Sequence, residues 1–163
     1  MASPRWAACT EAYRLHLQSQ GRSPKTVTLH LCTLRRYENF CRDRRTSFLL
    51  ASSLIIRGWL ASLYIAYSRN TVRDYFLNLR TFHRWLLAEH YIDHDPFDGL
   101  PVPKPKDVPV RPYSDAELRR LLRACHLARD RLVVLMLLGS GMRAGELVGI
   151  RHEDICWETG CIH

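Results

Sequence analysis

Apolar residues recur every three or four positions through most of residues 1–90, a period that belongs to helices with one buried face. Trp6, Cys9, Tyr13 and Leu17 form one such stripe, which predicts a first helix over residues 1–20, ended by Gly21. Ser23-Pro24 then reads as a capping residue followed by a proline at the first helical position. The helix it opens carries Val27, Leu31, Leu34 and Cys41 inward, with Tyr37 filling the stripe where Glu38 breaks it. Ser52 or Ser53 starts a third helix through Ile55, Trp59 and Leu63. Ser68 starts a fourth, with Val72, Tyr75, Phe76, Leu79, Phe82 and Leu86 along one face; it is the most clearly amphipathic stretch of the chain. That helix is expected to end near His90, before a turn-rich segment at 93–99.

The periodicity stops at Leu100. Pro101, Pro103, Pro105, Pro109 and Pro112 exclude helix and central strand and favour an extended, semi-rigid spacer. The expected organisation is therefore a helical domain over 1–100, a Pro-rich linker over 101–112 and a second, incomplete domain over 113–163. Ser114-Asp115-Ala116-Glu117 is a capping box. The helix behind it should point Leu118, Leu121, Leu122 and Cys125 inward and Arg119, Arg120 and Arg123 outward. Leu132 to Leu138 is apolar on nearly all sides and is expected to be buried. Gly139-Ser140-Gly141 ends that helix, and a new one should start with Arg143 in its first turn and Glu146 on the same face three residues on. Residues 157–160 read as a turn and 161–163 as the start of a strand.

Charge narrows the class of partner. The net charge is +8, and residues 1–100, with 14 basic and 8 acidic side chains, carry +6 of it. Arginine outnumbers lysine 21 to 3, and arginine presents the planar fork that matches phosphate. A basic surface points to a polyanion, nucleic acid being the usual one; a solvated basic face without a ligand is the plain alternative. The longest apolar run is too short to span a bilayer, and no basic-then-apolar signal segment follows Met1, so the protein is expected to stay where it is made. Six cysteines occur without a CxxC pair and read as reduced, mostly core thiols. The spacing of His152, Cys156, Cys161 and His163 fits no common zinc module, and no metal is expected.

Two short segments echo one another. Ser23-Pro24-Lys25-Thr26-Val27 and Ser68-Arg69-Asn70-Thr71-Val72 share a Ser-x-x-Thr-Val pattern, each at a helix start with a basic residue just inside it. A helix N-terminus offers free N–H groups and partial positive charge, so an added hydroxyl and cation make a phosphate clasp. Lys25, Thr26, Arg69, Thr71 and Arg73 are therefore candidate DNA contacts, and Lys104 and Lys106 could lie along a phosphate backbone. Ordinary N-caps are the competing reading.

Ser140-Gly141-Met142-Arg143-Ala144-Gly145-Glu146-Leu147, followed by Ile150-Arg151-His152-Glu153-Asp154-Ile155, resembles the first catalytic-arginine box of the tyrosine recombinases, the phage-integrase family. Serine replaces the usual threonine, methionine the leucine, and His152 stands where the family often has an aromatic. The layout upstream is similar over essentially the whole chain. The resemblance implies a mainly α architecture: an N-terminal helical bundle, the core-binding domain, joined by the Pro-rich linker to the helical start of a mixed α/β catalytic domain, the two closing around duplex DNA. It implies catalysis by a tyrosine that forms a 3′-phosphotyrosyl link, without metal or nucleotide cofactor, in protomers that assemble on DNA as a tetramer, with the protein cytoplasmic and nucleoid-associated when bound. Arg143 would be catalytic and Glu146 supporting. The family's later lysine, His-x-x-Arg box and tyrosine have no counterpart here, since all seven tyrosines precede Arg143. The chain alone is thus expected not to cut DNA. Three readings stay open: part of a site-specific recombinase or integrase, a catalytically inactive DNA-binding protein that occupies sites or interferes with recombinase assembly, and a helical protein-interaction module.

Overall fold

Ser23 and Ser68 start the two longest helices, and the core is built where those helices meet. The computed structural model describes residues 4–106 and 109–162; parts of the expected first helix and last strand, Met1 to Ser3 and His163, lie outside them, as do Asp107 and Val108 of the linker. By packing, the chain divides into two units, Met1–Val108 and Pro109–His163.

The first unit holds α1 (Pro4–Ser19), α2 (Pro24–Asp43), α3 (Ser53–Leu63) and α4 (Arg69–Ala88), with a single 3-10 turn at Phe48–Leu50. Gly21, at φ +69°, reverses the chain after α1. The stripe of α1 is buried as its spacing requires, with Tyr13 fully enclosed. Val72, Phe76, Leu79, Phe82 and Leu86 of α4 are likewise fully buried, whereas Tyr75 is only partly so. Aromatic rings knit the layers together. Tyr13 meets Phe82 edge-on at 5.0 Å, Trp6 meets Phe48 at 4.4 Å and Tyr37 meets Trp59 at 5.2 Å, each in the geometry that ring quadrupoles favour.

Two polar residues lie inside this core, Thr33 and His83. Thr33 Oγ1 donates to the Leu29 carbonyl at 2.9 Å and accepts from Asn78 Nδ2 at 3.2 Å, so a single hydroxyl ties α2 to α4. The echo between those helices extends well past the Ser-x-x-Thr-Val pattern. Both are 20 residues long. Both end with a left-handed residue that is not glycine, Arg45 at φ 54° and His90 at φ 58°. Both close with the same paired bonds, Thr46 N–H to Cys41 O and Arg45 N–H to Arg42 O in one, Tyr91 N–H to Leu86 O and His90 N–H to Leu87 O in the other, which is the Schellman arrangement.

The second unit holds α5 (Asp115–Ala124), α6 (Ala128–Ser140), α7 (Ala144–Gly149) and a two-strand antiparallel hairpin, β1 (Ile155–Cys156) with β2 (Cys161–Ile162). Ser114 and Glu117 form the expected capping box. The expected burial of 132–138 is not met: Leu132 is 59 % exposed, and Leu135 and Leu138 nearly half exposed. Leu121, expected inward, is also exposed. The reason is geometric. Among the described residues α7 is the element that packs most closely on α6, and a helix apolar all round needs neighbours on every side. None of the described residues of this unit is fully buried.

Burial presses the His83 imidazole well below its ordinary value, to about 4, against a partial upward pull from the Leu79 carbonyl and Asp95. The ring is therefore neutral in the fold, while in the unfolded chain it protonates near its ordinary ~6.5. Stability is complete above that value and falls as pH drops from ~6.5 toward 4, by up to roughly 3 kcal/mol. Urea unfolding at a series of pH values should show this loss, and His83→Leu should flatten the limb between pH 7 and 5.

Candidate nucleic-acid interface

The two helix starts are built alike to the resolution of their bonds. Ser23 Oγ accepts from Thr26 N–H at 3.3 Å and shares a hydrogen bond with Thr26 Oγ1 at 2.9 Å. Ser68 Oγ accepts from Thr71 N–H at 3.3 Å and meets Thr71 Oγ1 at 2.9 Å. In each pair the two hydroxyls share one hydrogen bond, so one hydroxyl hydrogen is left to donate to an incoming oxygen. The buried valine that follows, Val27 or Val72, pins the first turn to the core. Lys25 and Arg69 are exposed beside these caps, and Arg73 is half-buried one turn further on.

Six of the seven candidate contacts fall into two groups. Lys106 donates its backbone N–H to Asn70 Oδ1 at 2.9 Å, which brings the middle of the Pro-rich segment against the start of α4. Arg69, Thr71 and Lys106 therefore share one neighbourhood, with Arg73 on the next turn. Lys25 and Thr26 sit at the start of α2. Lys104 is exposed, with no partner joining it to either group among the described residues. Thr33 and Asn78, where the helices are tied, each follow their capping serine by ten positions. Each cap thus lies about 15 Å along its helix from the tie.

The arginine corner differs from expectation in one detail. Arg143 is the residue that caps α7 and does not lie in its first turn, with extended φ −76° and ψ 150°. Gly141, at φ +66°, ends α6 and lets the chain turn within two residues. Ser140 Oγ donates to Met136 O at 2.6 Å and accepts from Met142 N–H at 3.3 Å, bracing the bend. Glu146 then grips Arg143 twice. Its Oε2 accepts from the Arg143 backbone N–H and its Oε1 from Nη1, both at 2.8 Å. Those two bonds, the backbone one first, hold the Glu146 carboxyl below the usual carboxylate range, so it stays ionised. Arg143 remains 88 % exposed. One nitrogen of its fork is committed and the rest of its donors face solvent.

Two features escaped the sequence reading. Asp154 Oδ2 accepts from the Arg151 backbone N–H at 2.7 Å, repeating at three-residue spacing what Glu146 does for Arg143; that acid was legible. Arg36 places its guanidinium over the rings of Tyr67 and Tyr75, partners 31 and 39 positions away, and no local pattern announces that. Among the described residues no group of three or more His, Cys, Asp or Glu gathers as a metal site, and no helix is long and apolar enough to cross a membrane.

Residues 10–90 match the family model described as "Phage integrase, N-terminal SAM-like domain". Curated relatives match along most of the chain. Tyrosine recombinase XerC of Halalkalibacterium halodurans is 28 % identical over 160 residues, 93 % of this chain and 52 % of that protein. XerC of Oceanobacillus iheyensis is 32 % identical over 148 residues, 86 % of this chain and 48 % of its own length. The integrase from mycobacterium phage Brujita superposes with a TM-score of 0.55 at 27 % identity, over 90 % of this chain and 50 % of that one. The chain belongs to the tyrosine recombinase family. Its core-binding region is the SAM-like helical domain, and the chain spans about half the length of the family members it matches.

Substituting the capping serines separates their structural work from any role with ligand. Ser23→Ala and Ser68→Ala should each lower the unfolding free energy by about 1 kcal/mol, measured by urea denaturation, and Ser→Asp at either position should restore most of it.

Proposed function

We propose that this chain takes part in site-specific DNA recombination, supplying the DNA grip through residues 1–100 and the first catalytic arginine through residues 113–163, with 101–112 as the linker. The observation that carries this reading is the duplicated helix start. Two serine–threonine caps of the same geometry, each with a cation beside it, open the two helices tied at Thr33–Asn78. Backbone N–H groups, a free hydroxyl hydrogen and a Lys or Arg converge at each, which is the chemistry of a phosphate site. Double-stranded DNA offers such oxygens at regular spacing on both sides of a groove. Thr26, Thr71, Lys25 and Arg69 are the first contacts; Arg73, Lys104 and Lys106 extend the cationic track.

Arg143 serves the chemistry. In phosphoryl transfer from DNA to a tyrosine, charge builds on the non-bridging oxygens as the phosphorus–oxygen bond to the 5′ side breaks and the bond to the phenolic oxygen forms. The 5′-hydroxyl of a strand then attacks the 3′-phosphotyrosyl link and releases the tyrosine. A guanidinium already oriented by Glu146 stabilises the charged transition state without reorganising at the moment of reaction. Glu146 is a positioning residue, since both its oxygens are occupied by Arg143. Partners in this reading are duplex DNA and other recombinase protomers.

A second reading, DNA occupancy without cleavage, draws support from the distribution of burial. The first unit has a full core and the second has no fully buried described residue, so the grip is the better-built half. Strand cleavage by the chain once joined to the second half of a XerC relative separates the two readings.

The grip is checked by titrating a labelled duplex with the 163-residue chain at several salt concentrations. Affinity should fall steeply with salt, and Lys25→Ala with Arg69→Ala should weaken binding to all sequences while reducing the log–log slope by about 2. Unchanged affinity removes the clasps. In the joined enzyme, Arg143→Ala should cut the cleavage rate about 10²–10³-fold and leave duplex affinity within about threefold; equal loss of both would make the arginine structural.

A further inference from the structure

We infer that Arg36 reads a guanine base edge from the hollow between α2 and α4, with the rings of Tyr67 and Tyr75 as its positioning residues. The inference rests on the DNA-binding reading above. Arg36 stands out among the arginines by how it is held. Its guanidinium lies 5.1 Å from the Tyr67 ring centre and 5.6 Å from that of Tyr75. Those rings meet edge-on at 5.4 Å. Tyr75 abuts Trp59 at 6.3 Å, and Trp59 packs on the buried Tyr37. The cation thus ends a column of rings rooted in the core.

Such support holds the guanidinium beside the rings while taking none of its N–H donors for a carboxylate. Arg14, Arg84, Arg111, Arg129, Arg143 and Arg151 each pair with a carboxylate. Arg36 has no carboxylate within ion-pair distance among the described residues, so its fork stays available. Arg44 also stacks, on Phe40 at 3.7 Å, but at the far end of α2 and outside the α2–α4 hollow.

The surroundings favour a base edge over a phosphate. The hollow that Arg36 lines is mixed: Leu29 and Cys32 from α2, Asp74 and Asn78 from α4. A carboxylate there repels phosphate but accepts from the N4 amine of cytosine, and an amide pairs with adenine. Aliphatic surface suits a thymine methyl. The cationic residues suited to phosphate flank the hollow at the helix starts. An arginine with both fork nitrogens free matches O6 and N7 of guanine, a pairing that discriminates against other bases by roughly 5- to 150-fold.

The test is selection of duplexes from a randomised library by the 163-residue chain, followed by sequencing, for the wild type and for Arg36→Ala, Arg36→Lys, Tyr75→Leu and Tyr75→Phe. Circular dichroism melts confirm that each variant is folded. The expected result is a wild-type preference that includes a guanine, lost at that one position in Arg36→Ala and Arg36→Lys and kept elsewhere. Tyr75→Leu should weaken the same preference and Tyr75→Phe retain it. Bulk affinity for random duplex should change less than threefold and the salt slope by less than 1. An unchanged preference overturns the inference, whether affinity falls uniformly, as for a phosphate contact, or not at all. Wild-type binding without any sequence preference overturns it while leaving the DNA-grip reading intact. No salt-dependent binding by the wild type sinks both.

Discussion

The buried hydroxyl of Thr33 is the contact on which the register of α2 against α4 depends. Hydrophobic burial holds α2 against α4, but apolar packing is tolerant of small slips, since leucine and phenylalanine surfaces accept several registers. A buried polar group is not tolerant. Thr33 Oγ1 gives its hydrogen to Leu29 O and takes one from Asn78, so both of its commitments are met in one register. Sliding either helix by a turn would leave Thr33 bonded to Leu29 O but would break its bond from Asn78 Nδ2, the polar tie between the helices, at a cost of about 1 kcal/mol. Everything spaced along those helices inherits that register: the serine–threonine caps, the Schellman ends, and the hollow in which Arg36 sits.

The repeat between α2 and α4 gives this constraint a wider meaning. Cap, length, tie point and left-handed terminus recur at an offset of 45 residues, from Ser23 and Ser68 to Arg45 and His90. Both termini place a side chain with a Cβ in a conformation that favours glycine. The first unit therefore presents the same device twice from one rigid crossing. On the DNA-binding reading proposed above, a duplex with equivalent phosphates on its two strands would meet both copies of the device.

Much of the first unit was legible because its signals are local. The stripe Trp6, Cys9, Tyr13, Leu17 and that of α4 mark buried faces by spacing alone. Ser23-Pro24 and Ser68 mark helix starts by chemistry that needs no tertiary context, and both caps form. The burial of Thr33 and His83 was not legible, because a polar residue reads as surface until its partner, 45 positions away in the case of Asn78, is known. The same limit hid the stack under Arg36. The exposure of Leu132 to Leu138 is the reverse case. Composition correctly reports a helix that seeks cover on all sides, but cover is a property of neighbours, and among the described residues α7 supplies only part of it.

The arginine corner shows how far local structure can go without a core. Glu146 holds Arg143 through a backbone and a side-chain bond only three residues apart, and Gly141 and Ser140 shape the approach from within the same turn. None of this needs an interior, which the described residues of the second unit do not form. Orientation of the guanidinium relative to its own helix is therefore set locally. The two units thus differ in where their order comes from: the first carries it in the buried crossing of α2 and α4, the second in bonds local to the Arg143 corner.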